Sequence, residues 1–140
     1  MSREDVEAFK RAVEAANRQD VRGFLAHCDP EVEWPRPAIL ASLGGEANVY
    51  RGHEGVREVL QDVFEVFAEL HLEISEIRDL EGRIVAIGRL RPRGTESGAE
   101  TVSELAYIVD FKNNKAIRIQ TYLDPREALE VAGLREVDDV

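Results

Sequence analysis

Cysteine, methionine and tryptophan occur once each in these 140 residues, aromatic residues make up only 6%, and basic residues are outnumbered by acidic ones, 18 to 28. The lone cysteine, Cys28, excludes an internal disulfide and fits a reducing compartment. The shortage of positive charge leaves a formal net charge of −10, which repels phosphate backbones and anionic lipid, and no local basic patch offsets it. Neither nucleic acid nor a membrane is therefore expected as a partner. The opening MSREDVEAFKRAVEAA sets acidic residues where a signal peptide carries a basic segment and then an unbroken apolar run. No later stretch reaches membrane-spanning length, so a cytoplasmic protein is expected. The three histidines, His27, His53 and His71, lie at no ligand spacing, and His27 beside Cys28 reads as a pair of helix-end neighbours. Metal ligation is not implied. With no nucleophile elbow, no phosphate-cradling loop and no dinucleotide fingerprint, no cofactor is implied either.

What is present is a 44% hydrophobic content, enough for the core of one domain over residues 1–140. Ser2 caps a helix whose apolar positions Val6, Phe9, Val13 and Ala16 follow a helical repeat. Asp20 caps a short second helix burying Val21, Phe24 and Leu25, which Asp29-Pro30 stops. EVEW then reads as a short strand, and Pro35 to Asn48, with two prolines and Gly44-Gly45, reads as a loop able to cover something. In the third helix Val56, Val59, Leu60, Val63, Phe64 and Phe67 form a wide apolar stripe suited to lying on a sheet. Its start, YRGHEGVREVL, uses Gly52 for a tight entry and Gly55 for close packing. His53 there either decorates the first turn or faces a cavity beside the free helix N–H groups.

After His71 the apolar period becomes two, predicting strands at about 71–79, 83–91, 100–111 and 115–123. Leu72 and Ile74 share a parity that Ile77 breaks, which calls for a bulge near Ser75 or a lost register. Turns are expected at Glu81-Gly82, at PRGTESGAE and at Asn113-Asn114, the last as a two-residue hairpin. In DPREALEVAGL, Asp124 is the cap, Pro125 the first helical residue and Glu127 the capping-box partner. The result is an α+β fold: a cone-shaped, curved antiparallel sheet wrapped around three N-terminal helices, with a short C-terminal helix.

A two-residue hairpin at Asn113-Asn114 would set Tyr107 opposite Gln120, Ala106 opposite Thr121 and Glu104 opposite Leu123. One face then carries Glu104, Ala106, Ile108, Ile117, Ile119 and Thr121, and the other Leu105, Tyr107, Val109, Phe111, Arg118, Gln120 and Tyr122. Both are too apolar to be left in water, so one should meet the helices and the outer one a second subunit, giving a homodimer. Arg89 and Arg91, if on the Glu104 face, need that carboxylate, water or an anionic ligand; otherwise the strand ends splay and both arginines reach solvent. Trp34, ending its strand beside the glycine-rich loop, reads as part core and part pocket wall.

The order of helix, short helix, DPEVEW, loop, YRGHEGVREVL and strands ending in IRIQTYLDPREALE resembles the nuclear transport factor 2-like superfamily, and within it the SnoaL-like group. The resemblance spans nearly the whole chain. It implies a conical cavity between sheet and helices, frequent dimerisation, and kinship with ketosteroid isomerases, limonene epoxide hydrolases and polyketide cyclases. The catalytic residues of the first two are mostly missing. The steroid isomerase's base would fall at Trp34, its proton-donating carboxyl at Ala106 and its tyrosine near Ala12. The epoxide hydrolase's arginine matches Arg89, but its aspartates fall at Arg91 and Thr121. Both mechanisms need the lost carboxylates.

By the same resemblance Ala106 and Thr121 face the cavity, and Glu104 with them. Glu104 is then the expected catalytic base, held ionised by Arg89 and Arg91. Trp34, Tyr50, His53, Phe67, Arg91, Ala106, Ile108, Ile119 and Thr121 are the expected substrate-binding residues. The expected ligand is a small hydrophobic or mildly anionic molecule, with cofactor-free isomerisation, cyclisation or hydrolysis as the chemistry. The competing expectation is a non-enzymatic ligand-binding or dimeric assembly module whose cavity is filled by side chains.

Overall fold

Helix α1, Ser2–Asn17, has acidic Glu4 and Asp5 in its first turn, where the helix dipole favours them, and buries Ala8, Phe9 and Ala15. It ends on Asn17, whose side-chain nitrogen donates to Leu72 O and whose oxygen accepts from Leu72 N, both at 2.9 Å. Leu72 lies on an outermost strand of the sheet, so one amide supplies the pair of bonds that a neighbouring strand would have made. The computed structural model describes residues 2–41, 44–45, 48–66, 70–92 and 103–134. Phe67 and the turn expected in PRGTESGAE lie outside the described residues.

Asp20 caps α2, Val21–Leu25, by accepting from Gly23 N at 2.9 Å. Strand β1, Cys28–Pro35, follows at once, so Asp29 and Pro30 belong to the strand rather than ending the helix. Pro30 sits where the register shifts between the pairs Cys28↔Ala116 and Glu33↔Arg118, an irregular stretch that tolerates a missing N–H. The expected loop after Pro35 contains a one-turn helix, α3, Ala38–Ala41, and is followed by a three-residue strand, β2, Val49–Arg51. A strand that short carries too little alternation to be seen in sequence; its pairing of Tyr50 with Trp34 is what defines it. Gly52, at φ +70°, turns the chain into α4, Gly52–Val66. His53 Nε2–H donates to Cys28 O at 2.9 Å, tying the start of α4 to β1.

Four long strands complete the sheet: β3, Leu70–Asp79; β4, Arg83–Pro92; β5, Ser103–Lys112; and β6, Lys115–Tyr122. The order is β2-β1-β6-β5-β4-β3 in one curved, unclosed sheet, antiparallel throughout except that β1 runs parallel to β6. Pairing moves from Ile74↔Gly88 to Glu76↔Ile87, which places the bulge at Ser75 and lets both Ile74 and Ile77 pack on the main core. Asn113 and Asn114 adopt φ of 53° and 65°, and Lys112 pairs with Lys115 as a two-residue hairpin requires.

The hairpin register then departs from expectation. Phe111 pairs with Ala116, but Asp110 pairs with Arg118, so Ile117 is an extra residue on β6. Beyond this bulge Tyr107 stands opposite Thr121 and Ala106 opposite Tyr122, which corrects the expected Tyr107–Gln120 and Ala106–Thr121 pairs. Because side chains alternate, one inserted residue exchanges the faces of β6 relative to β5. Thr121 and Ile119 therefore share a face with Leu105, Tyr107 and Val109, not with Glu104, Ala106 and Ile108.

The two faces have separate cores. On the inner face α1, α2 and α4 bring Phe9, Phe24, Leu25, Val56, Val59 and Leu60 against Trp34, Ile84, Ala86, Val109 and Ile119. On the outer face Val85, Ala106 and Ile108 are covered by Ala128 and Leu129 of α5, Pro125–Val131. Asp124 caps α5 by accepting from Arg126 N at 3.0 Å, with Pro125 at the first helical turn. No helix among the described residues is long and apolar enough to cross a membrane.

Candidate functional site

The inner face and the helices form a partly open cavity of about 150 Å³. Phe9, Ala12, Val13 and Ala16 of α1 form one wall, and Leu60, Val63 and Phe64 of α4 a second. The sheet supplies Leu90, Leu105, Tyr107, Val109, Ile119 and Thr121 as the floor, and Phe24, His27, Cys28 and Trp34 close one end. No aspartate, glutamate, lysine or arginine lines it among the described residues. A space of this size accepts a molecule about as large as benzene.

Its polar lining groups include Gln19 near the mouth and Tyr122, whose Oη accepts from Gln120 Nε2 at 3.2 Å. Trp34 stacks on Phe24 with ring centroids 5.6 Å apart and planes 12° apart, so its indole is fixed. Its Nε1–H is buried and meets no acceptor among the described residues. Thr121 Oγ1 accepts from Ala38 N at 2.7 Å, fastening α3 to β6. Asn17 is committed to Leu72. The Cys28 thiol contacts Phe24 O at 3.7 Å, and burial pushes it up to about 12 against the pull of Lys115, so it stays protonated and unreactive. Burial raises the Tyr107 phenol well above its ordinary value, leaving a neutral hydroxyl.

His27 is the lining group whose ordinary titration range lies nearest neutrality. Burial lowers it first, and the cations Lys115 and Arg11 lower it further. Its main chain is pinned on both sides, N–H to Phe24 O at 3.0 Å and C=O from Ala116 N at 2.9 Å, which sets where the imidazole stands. Since the folded state holds His27 below its ordinary value of 6.5, the unfolded chain binds the proton more readily. The stabilising contribution is complete above that value and lost as pH falls through it toward the folded value. Melting temperature is accordingly expected to fall between pH 7.5 and 5.5, and to fall less in His27→Gln. Equal pH slopes in the two proteins, measured by calorimetry, would contradict this.

Of the residues expected at the site, Trp34, Ile119 and Thr121 line the cavity. Glu104 does not: it is exposed and lies on the Ala106 side of β5, directly across from Arg89 of β4. Arg89 and Arg91 instead meet Glu73 of β3, at 3.2 and 3.6 Å. Ala106 and Ile108 lie beneath α5. The inserted Ile117 is the reason, since the expected face was drawn through an unbulged hairpin. Tyr50 and His53 are also outside the cavity wall; Tyr50 Oη accepts from Arg36 Nη1 at 3.2 Å, and His53 holds β1. Sequence reasoning missed Tyr107 and His27 as lining groups. The shared parity of Leu105, Tyr107, Val109 and Phe111 was the available signal for the first; no spacing marked the second.

Several solved structures share this architecture. An NTF2-like protein of unknown function from Burkholderia pseudomallei is 26% identical, with 91% of this chain and 95% of that one covered and a TM-score of 0.69. TerC, crystallised with polyporic acid, is 24% identical over 94% and 97% of the two chains, TM-score 0.70. A putative polyketide cyclase from Sinorhizobium meliloti is 11% identical over 82% and 93%, TM-score 0.64, a likeness of fold alone. No protein of curated function matches the chain. The SnoaL-like domain matches residues 9–119, most of the length and most of the elements that wall the cavity. The chain thus belongs to the SnoaL-like domain family of the NTF2-like superfamily.

Proposed function

We propose that this protein binds a small, neutral, predominantly apolar molecule in the cavity between α1, α4 and the inner face of the sheet. The observation that carries the reading is the lining itself: about 150 Å³ walled by aliphatic and aromatic side chains, with no charged side chain among the described ones. Filling such a void replaces missing contacts on every wall, which is where affinity for an apolar guest comes from. That no cation lines it among the described residues speaks against the anionic guests that Arg89 and Arg91 suggested. TerC, a protein of the same fold, was crystallised with polyporic acid, which fits a small-molecule role for this architecture.

Cofactor-free isomerisation, cyclisation or hydrolysis remains a second reading, and His27 supports it. Proton transfer in this cavity falls to that imidazole, because no carboxylate lines it among the described residues and the Cys28 and Tyr107 protons are held too tightly. A cytoplasmic location accords with the acidic charge and single cysteine. A homodimer would use the part of the outer face around Arg89 and Glu104.

Protein purified from its own host and sprayed under native conditions is expected to carry a small molecule that denaturation releases. Protein that is empty, and whose melting temperature does not respond to millimolar acetophenone or α-methylstyrene, would overturn the binding reading.

A further inference from the structure

We infer that Tyr107 is the polar anchor of the cavity, and that the molecule bound there carries a carbonyl-type oxygen which the Tyr107 hydroxyl recognises. The inference rests on the cavity-binding reading above and specifies its ligand class.

Tyr107 sits mid-strand on β5, with Leu105 and Val109 beside it on the same wall. Phe9 holds its ring edge-on, at 6.4 Å between centroids and 63° between planes. On one side it faces Thr121, whose hydroxyl is taken up by Ala38 N, and on the other Ala86, too small to reach it. The phenol makes no hydrogen bond among the described residues, yet Tyr107 keeps accessible surface where it lines the cavity. A hydroxyl that opens onto such a space takes its partner from whatever fills it, water or guest. Burial also keeps the phenol protonated, so it offers a donor at any physiological pH.

Trp34 also lines the cavity, but its Nε1 is fully buried and out of a guest's reach. Asn17 is engaged by Leu72, Thr121 Oγ1 by Ala38 N and Tyr122 Oη by Gln120, while the Tyr107 hydroxyl stands ready to donate, and a guest oxygen with lone pairs answers it. A purely hydrocarbon guest would leave that donor unmet. A carboxylate would find no cation among the described lining residues.

Acetophenone and α-methylstyrene test this as a matched pair, because they differ in shape only by C=O against C=CH2. Tyr107→Phe removes one oxygen and leaves the ring, so the fold is retained. The variant is expected to bind acetophenone about tenfold more weakly, the size of one hydrogen bond to a desolvated oxygen, and α-methylstyrene within about twofold of the parent. In the parent protein the acetophenone carbonyl stretch should shift to lower frequency on binding, and the shift should vanish in the variant. Equal losses for both probes, or an unshifted carbonyl in the parent, would overturn the anchor while leaving the cavity as a binding site. Failure of both probes to bind the parent protein would remove the cavity reading and the anchor together.

Discussion

Gly55→Val is expected to lower the melting temperature by about 10 °C, from a loss of about 3 kcal/mol or more. Gly55 lies in the first turn of α4 and is buried against β2. A Cβ placed there would stand 2.8 Å from the Tyr50 carbonyl carbon and 3.2 Å from its Cα. These are main-chain atoms, and no rotamer change relieves the contact. Alanine in place of glycine inside a helix ordinarily adds about 1 kcal/mol of stability, so Gly55→Ala should fall between the parent and Gly55→Val. To admit the side chain, α4 must lift from β2, which strains the His53 bond to Cys28 O and the pairing of Tyr50 with Trp34. Calorimetry decides it: an unchanged melting temperature for Gly55→Val would mean that α4 and β2 are not in this contact.

Ala12→Leu is expected to act in the opposite sense on stability and far more strongly on binding. Ala12 faces the cavity from α1, and leucine there places three more carbons into the void without altering helix propensity much. Filling empty apolar space should hold or raise stability by up to about 1 kcal/mol. The same atoms occupy the space a benzene-sized guest needs, so affinity for α-methylstyrene should fall at least tenfold, about 1.4 kcal/mol or more. Titration calorimetry and thermal melts on one preparation read both quantities. Undiminished binding in a folded Ala12→Leu protein would place the guest elsewhere.

Much of the architecture was legible because it depends on local chemistry. Asp20 and Asp124 are caps wherever an aspartate precedes a helical stretch with free N–H groups, and both were readable as such. The broken parity of Ile77 announced the bulge at Ser75, since an isoleucine with the wrong parity must be re-aimed to reach a core. Asn113 and Asn114 disclosed the hairpin because few other residues accept positive φ in succession. By contrast, the bulge at Ile117 left no such mark: Ile117 is apolar whichever way it points, and both faces of β5 and β6 bury apolar residues.

That ambiguity decided the candidate site. Local composition and periodicity by themselves determined the α+β class, the helix caps, the hairpin turn and the need for apolar cover on two sheet faces, because each follows from a few neighbouring residues. Only the tertiary structure decided which face closes over a cavity, putting Tyr107, His27 and Trp34 inside and leaving Glu104 and Arg89 outside. The physical reason is that a strand's side-chain period is two, so one inserted residue on β6 reverses the assignment, and whether it is inserted depends on packing by α1, α4 and α5 from distant parts of the chain.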